Sequence, residues 1–223
     1  MKTQLKYLIY TLAIALASCS ETKTEETETP AVPKLPIYGE RYFDEDKKDT
    51  VYHQIPDFEL LNQDSVLITQ KDLEGKIIIA DFFFTSCPTM CPVMTSELKR
   101  VAKVIEKMNE VYIVSHTVDP EIDTLATLRA YAKDNAIDTK KWWFLWGPEE
   151  FIHNHGGEGY MLAAQRDSAA PGGFLHASQF VLIDKEKRIR GIYDGLQKNE
   201  VEQLLKDLEI LRKEYEQDHT AAN

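Results

Sequence analysis

Basic residues are scarce in this sequence relative to acidic ones. Its 223 residues include 26 lysines and arginines against 37 aspartates and glutamates, which gives a formal net charge of −11. This balance argues against general nucleic-acid binding, because affinity for phosphate backbones comes mainly from clustered basic side chains. It slightly favours a cationic partner or ligand. Internal repeats are also lacking, and the length predicts one domain of ordinary size rather than two.

Long apolar runs are lacking as well. Two lysines precede a mostly apolar run over residues 7–17, which is short for a membrane span and has the layout of a signal peptide. The run leads into the letters LASC, ending at Cys19, which resemble the bacterial lipobox. We therefore expect residues 1–18 to be removed as a lipoprotein-type signal peptide. Diacylglycerol on Cys19 would then anchor the protein to a bacterial membrane, on its extracytoplasmic, periplasmic face. The alternative is an uncleaved N-terminal helix.

Cysteine is the third scarce feature, with three residues in the whole chain. If Cys19 carries lipid, Cys87 and Cys91 are the only thiols of a protein that faces an oxidising compartment. They must form a disulfide, bind a metal, or be kept reduced by a partner.

The remaining sequence predicts a tether followed by one α/β domain. Residues 19–37 are mainly Thr, Glu, Lys and Pro and predict a flexible tether, residues 38–218 the domain, and residues 219–223 a disordered tail. The run KIIIADFFF at 76–84 is typical of a strand buried on both faces, and apolar residues at helical spacing predict a helix over 92–108. Further strands are expected at 55–60, 65–69, 111–114, 142–146, 179–184 and 189–193, and helices at 124–136 and 200–217. This order indicates a thioredoxin-like fold, a central mixed sheet flanked by helices with an extra N-terminal hairpin.

The strongest local signal is the hexapeptide CPTMCP at 87–92, which lies where the buried strand ends and the first helix begins. A helix N-terminus presents unpaired N–H groups and a partial positive charge, which stabilise thiolate over thiol. A separation of four residues puts both sulfurs on one helical face, where they can form a disulfide or bind one soft metal ion. A structural disulfide is the simpler interpretation, but a bridge across four residues adds little stability. The position after a buried strand favours a reactive site.

Three segments together resemble the Sco/SenC family of copper proteins. These are CPTMCP after an apolar strand, VDPE at 118–121 followed by Asp123 and Thr124, and His176 shortly before FVLID at 180–184. The likeness extends over roughly residues 56–208. It implies a thioredoxin-like domain that binds one copper ion through Cys87, Cys91 and His176. It also implies a role in assembling the binuclear copper site of cytochrome c oxidase, with an oxidase subunit or another cuproenzyme receiving the copper.

The chemistry of these ligands agrees with the resemblance. Two thiolates and an imidazole suit Cu(I), whose soft character selects sulfur, and mixed S and N ligation can also hold Cu(II). Leu175 stands where the family often has an aspartate, so no carboxylate is expected to support the imidazole from that position. Asp119 matches a family position near the copper, where it tunes the cysteines or docks a partner. From the residues alone, Asp119 is equally a turn residue that caps the next helix.

Other potential donors are given structural interpretations. His153 and His155 are expected to be loop residues, and Met94 falls on the apolar face of the predicted helix and is expected to pack there. Met90 is a further soft donor near the thiols. The tryptophans at 142, 143 and 146 are expected in the core and at the rim of a strand.

The leading function is therefore a copper metallochaperone rather than an enzyme. The alternative is an extracytoplasmic thiol-disulfide oxidoreductase in which Cys87 attacks, Cys91 resolves, and a thiol reductant protein regenerates the pair. Such an enzyme does not need His176 and usually has two residues between its cysteines rather than three. A peroxiredoxin is disfavoured because Thr85 lies two residues before Cys87 instead of three. The remaining hypothesis is a structural lipoprotein in which the two cysteines form a disulfide without a redox role.

Overall fold

The computed structural model describes residues 33–167 and 174–221, without the side chains of residues 166, 174–176 and 218–221. Cys19, the predicted signal peptide and most of the predicted tether lie outside the described residues. The polypeptide from residue 33 onward belongs to a single unit.

Within residues 33–167 and 174–221, the fold is built on a mixed sheet of seven strands, with two small hairpins outside it. The strands in chain order are β1 Arg41–Asp44, β2 Asp49–Tyr52, β3 Glu59–Asn62, β4 Leu67–Thr69, β5 Ile77–Phe83, β6 Val111–Thr117, β7 Trp142–Trp146, β8 Ala164–Arg166, β9 Phe174–His176, β10 Gln179–Ile183 and β11 Ile189–Asp194. The main sheet has the order β11-β10-β5-β6-β7-β3-β4, and β1-β2 and β8-β9 form the separate hairpins. Because β5, β6 and β7 are parallel, their carboxyl ends meet at one edge.

In the described part of the chain, four α-helices pack around this sheet. They are α1 Met90–Ile105, α2 Leu125–Asp134, α3 Glu149–Asn154 and α4 Lys198–Ala221, with a 3-10 turn at Gln70–Leu73 and a π-helical turn at His155–Gly159. Among the residues that the structure describes, no helix is both long and apolar enough to cross a membrane.

The predicted fold class is confirmed. Every residue of β5 is buried, as the apolar run at 76–84 predicts, and the extra N-terminal hairpin is present as β1 and β2. The helix predicted over 92–108 begins two residues earlier, at Met90, because Pro92 lies in the first turn, where a missing N–H costs no intrahelical bond. The strand predicted over 111–114 continues to Thr117, because the polar residues that follow Val114 are buried rather than exposed.

A buried ion pair fixes the start of the described chain to the domain. Arg190 and Glu214, which are 4% and 7% exposed, are joined through Arg190 Nη2 and Glu214 Oε2 at 2.7 Å. Glu214 also accepts from the N–H of Leu35, and Arg190 donates to the carbonyls of Leu35 and Pro36. Leu35 and Pro36, in the segment predicted as tether, are therefore bound to β11 and α4.

Candidate metal centre

Cys87 and Cys91 lie where β5 leads into α1, as the sequence predicts. Cys87 is in the connecting loop, and Cys91 is the second residue of the helix. Both side chains are buried, with 6% of Cys87 and 1% of Cys91 exposed, and they stand as two thiols rather than a disulfide. The loop is folded back on the strand by a hydrogen bond from the Cys87 N–H to the carbonyl of Phe84.

The sulfur of Cys87 takes the place of a helix cap. The side chain of Thr89, the N-cap residue of α1, makes no capping hydrogen bond to the helix. The first turn of α1 also contains no acidic residue. The N–H of Cys91 instead donates to Cys87 Sγ at 3.5 Å. Burial works against a thiolate here, but hydrogen bonds from the backbones of Cys91, Thr89 and Met90 outweigh it and lower the pKa of Cys87. Of the two cysteines, Cys87 thus more readily provides the thiolate that attacks an electrophile or binds a metal ion.

Cys91 is the opposite case. Burial raises the pKa of its thiol well above the usual range, and the nearby charges of Cys87 and Asp81 raise it further. A proton is therefore held on Cys91 while Cys87 favours the thiolate. The pair has one sulfur ready to react and one that must lose a proton when it binds a metal or a second sulfur.

Asp81 is a buried carboxyl within β5 that our sequence analysis did not identify. It is 2% exposed, and burial raises its pKa to about 7, although Ser115 Oγ donates a hydrogen bond to it. Ser115 in turn accepts from Trp142 Nε1 at 2.8 Å. The sequence signal that could have identified Asp81 is its position as a charged residue inside an otherwise apolar strand. Asp81 supplies a group near Cys91 that titrates close to neutral pH.

Asp123 holds the cysteine loop against the neighbouring strand. It is fully buried, and its carboxylate accepts from the N–H of Thr85 at 3.0 Å, from Thr85 Oγ1, and from Thr117 Oγ1 at 2.6 Å. Thr85 lies two residues before Cys87, and Thr117 ends β6. The carboxylate therefore joins the carboxyl ends of β5 and β6 and positions the loop that carries the first sulfur.

Asp119 is buried at the same edge of the sheet. It is 6% exposed, and its N–H donates to Thr117 Oγ1 at 3.1 Å. It does not cap the next helix, because Thr124 does so by accepting from the N–H of Thr127. Of the two interpretations of Asp119, the helix cap is wrong.

The structure describes the backbone of His176 but not its side chain. It ends β9 and lies opposite Ala164 of β8. Ala164 lies against the π-helical turn, since a Cβ placed on Gly156 would lie 2.8 Å from Ala164 Cβ. β8 therefore lies beside the turn that begins at His155.

The connection from His176 into the sheet reaches the same edge. β10 begins three residues after His176 and runs antiparallel to β5, with Val181 opposite Ala80. In this arrangement the chain enters β10 beside the carboxyl end of β5, from which the Cys87 loop leaves.

The expectation that His153 and His155 are loop residues is wrong. His153 belongs to α3, where its Nε2 bonds to the carbonyl of Val118 at 2.9 Å, and His155 begins the π-helical turn and is 5% exposed. The helix was not predicted because α3 has only six residues and continues directly into a π-helical turn, so this segment lacks the regular spacing of a longer helix. Met94 is buried on α1 as predicted, and Trp142 lies in the core with the other two tryptophans at its rim.

The described donors fit a soft metal ion. Two sulfurs four residues apart at a helix N-terminus, one of them with a lowered pKa, form the ligand type that Cu(I) prefers. In the described parts of the chain, no group of three His, Cys, Asp or Glu side chains lies close enough to hold a metal ion. Among the described side chains, the candidate site thus consists of two sulfurs.

Comparison with known proteins identifies the family. Residues 46–212, well over half of the chain, match the SCO1/SenC family. The chain belongs to the SCO1/SenC family. The resemblance carried by CPTMCP, VDPE and His176 is therefore confirmed at the level of the family.

Solved structures of this family share the fold. A SCO1/SenC family lipoprotein from Bacillus anthracis is 30% identical, covers 72% of this chain and 95% of its own, and has a TM-score of 0.66. BsSco, described with a disulfide switch and as a member of the Sco family of cytochrome c oxidase assembly proteins, is 26% identical over 71% of this chain and 93% of its own, with a TM-score of 0.63. Copper-bound ScoI from Bradyrhizobium japonicum is 26% identical over 70% of this chain and 98% of its own, with a TM-score of 0.58.

Proposed function

We propose that this protein is a copper metallochaperone that assists assembly of the binuclear copper site of cytochrome c oxidase. The observation that carries the proposal is the pair of sulfurs at the β5-α1 junction, in which the Cys91 N–H stabilises Cys87 as thiolate. Membership of the SCO1/SenC family supports it, because a solved relative is described among cytochrome c oxidase assembly proteins.

Copper is the metal that this donor set favours. Thiolate ligands select Cu(I) over harder ions, and the buried position of both sulfurs shields a bound ion from water. The copper-bound state of the Bradyrhizobium japonicum relative supports the same choice. Binding must release the proton of Cys91, and Asp81 is a nearby group able to receive it near neutral pH.

His176 is the proposed third ligand. Its backbone ends β9, and the chain that follows it enters the sheet beside the carboxyl end of β5, from which the cysteine loop leaves. This placement supports His176 as the residue that joins the two sulfurs. A neutral imidazole would complete a three-coordinate Cu(I) site and would stabilise Cu(II) as well.

Cys19 is proposed to anchor the protein by lipid to the periplasmic face of a bacterial membrane. The lipobox-like sequence and the lipoprotein relative from Bacillus anthracis support this. The anchor would keep the copper site on the membrane face where an oxidase subunit exposes its own metal ligands. A thiol reductant protein would be required there to keep Cys87 and Cys91 reduced.

A second candidate function is thiol-disulfide exchange. The observation that favours it is the unequal pair of thiols, because a cysteine with a lowered pKa attacks and a cysteine with a raised pKa resolves. The disulfide switch described for BsSco also supports a redox reaction of the pair.

Copper titration of the reduced protein tests the two functions. The wild type and His176→Ala are titrated anaerobically with Cu(I) against a chromophoric chelator, with His219→Ala at the end of α4 as a matched control. Tight binding of one copper ion that is weakened by His176→Ala and unchanged by His219→Ala supports the metallochaperone. A wild type that binds no copper but reduces a model disulfide at a useful rate shows that the oxidoreductase is correct.

A further inference from the structure

Two histidines outside the cysteine site are buried side by side. His116 comes from β6 and is fully buried, and His155 begins the π-helical turn with 5% exposed. Their ring centroids are 5.8 Å apart. The ring of His116 stacks on Phe82, which projects from β5 on the face opposite its neighbour Asp81. The histidine pair is therefore separated from Cys91 by the sheet.

Among the described residues, three ring nitrogens of this pair make no hydrogen bond of ordinary geometry. They are Nδ1 and Nε2 of His116 and Nε2 of His155. An unsatisfied buried polar group lowers the stability of the fold, a cost that a phenylalanine at either position would avoid. Such groups in a native protein call for an explanation, and a bound ion is one of the few available.

Both imidazoles are neutral at neutral pH and have lone pairs to donate. Burial lowers the pKa of His116 to about 3, with the adjacent His155 acting in the same direction and the Asp81 carbonyl acting against it. Burial also lowers the pKa of His155 to about 4. Neutral imidazole is the form of histidine that binds metals.

The separation of the rings fits an ion shared between them. A metal–nitrogen bond is about 2.0 Å long, so two imidazoles on one ion in a linear arrangement have centroids roughly 6 Å apart, close to the observed 5.8 Å. No carboxylate or thiol completes a group of three donors among the described residues. Zinc, which takes four ligands in structural sites, is therefore unsuited, whereas a monovalent d¹⁰ ion accepts two.

The surroundings suit a single positive charge. Tyr160 and Phe58 meet both histidines edge to face, with centroids 5.1 and 5.6 Å from His155. Aromatic rings stabilise a desolvated cation, and neutral ligands leave a monovalent ion with only its own charge to bury. Phe58 and Phe151, which stacks on His155, also line a cavity of about 820 Å³. The cavity therefore reaches two of the aromatic rings that pack against His155.

We propose that His116 and His155 form a second binding site, for one soft monovalent ion such as Cu(I), on the face of the sheet opposite Cys91. The site is independent of the cysteines and of His176. It requires only two imidazole nitrogens and a small displacement of the aromatic rings around them.

The full chain carrying Cys87→Ser and Cys91→Ser tests the proposal, because the substitutions remove the cysteine site. Titration with Cu(I), and with Ag(I) as a redox-inert probe, is expected to give one bound ion with nitrogen ligands in X-ray absorption spectra. Adding His155→Phe is expected to weaken binding by at least about 100-fold. Adding His176→Ala is expected to leave it unchanged, which separates this site from the proposed copper site.

A measurement without substitution of the histidines guards against misfolding. Long-range ¹H–¹⁵N spectra of the same protein are expected to show the ring nitrogens of His116 and His155 shifting when Ag(I) is added, with those of His53 unchanged. A protein that binds no ion more tightly than the His155→Phe variant, or histidine signals that do not respond, would overturn the proposal. If a water molecule rather than an ion lies between the rings, the histidine signals will not respond to Ag(I).

Discussion

The backbone N–H of Cys91 donates to the sulfur of Cys87 at 3.5 Å, so the first cysteine of the motif caps the helix that contains the second. This single contact distinguishes the two thiols. It places the Cys87 sulfur at the positive end of α1 and turns Cys91 toward the core. A metal or a partner disulfide thus meets Cys87 first.

The first prediction concerns the order in which the thiols react. Cys87 is expected to be alkylated by iodoacetamide at pH 7 well before Cys91, because its pKa is lowered and that of Cys91 is raised by burial. Peptide mapping after timed quenching measures the two rates. Cys91→Ser is the control, since it keeps the backbone N–H that stabilises Cys87. Equal rates in the folded protein would contradict the assignment.

The second prediction concerns the carboxylate that holds the cysteine loop. Asp123→Ala removes the acceptor of three hydrogen bonds and leaves the N–H of the half-buried Thr85 without its partner. We expect the free energy of unfolding in urea to fall by about 3 kcal/mol. Asp134→Ala, at an exposed position of α2, is expected to change it by less than about 0.5 kcal/mol. If both variants lose the same stability, Asp123 does not hold the loop.

The third prediction concerns the pH dependence that Asp81 imposes. Its folded pKa of about 7 lies above the ordinary value of 3.8, so the unfolded chain releases this proton first as pH rises. Its contribution to stability is complete below pH 3.8 and is lost as pH rises toward 7. The Asp81→Asn side chain can still accept the hydrogen bond from Ser115 but does not titrate. Between pH 3.8 and 7, the free energy of unfolding of Asp81→Asn is therefore expected to rise relative to the wild type by about 1.4 kcal/mol for each unit of increasing pH. Urea unfolding at several pH values measures the gain, and a difference independent of pH would exclude this role.

The fourth prediction concerns the buried histidines and has the opposite sign. The folded pKa values of His116 and His155, about 3 and 4, lie below the ordinary 6.5. Their neutral forms support the fold above pH 6.5, and this support is lost as pH falls toward 4. In the metal-free protein, lowering the pH from 6.5 to 4 is expected to reduce the free energy of unfolding of His116→Phe less than that of the wild type. The difference is about 1.4 kcal/mol per pH unit. His219→Phe serves as control, and parallel curves for the wild type and His116→Phe would disprove the effect.

Much of the fold was predictable because its signals are local. The apolar run that became β5, the helical spacing that became α1 and the strand at 142–146 are each encoded within a few consecutive residues. The position of CPTMCP at the end of a buried strand follows from the same pattern. Local patterns failed at residues 115–117, where polar side chains are buried, and at His155, where a π-helical turn replaces the expected loop.

The sequence by itself determined that two thiols stand at a strand-to-helix junction, because the apolar run, the prolines and the spacing of the cysteines are all contained in residues 76–92. Only the tertiary structure decided that one thiol has a lowered pKa and the other a raised one, since burial and the charge of Asp81 come from packing. It also brought His116 beside His155 across 38 intervening residues. Burial, pairing and pKa depend on contacts between distant segments, which no local pattern records.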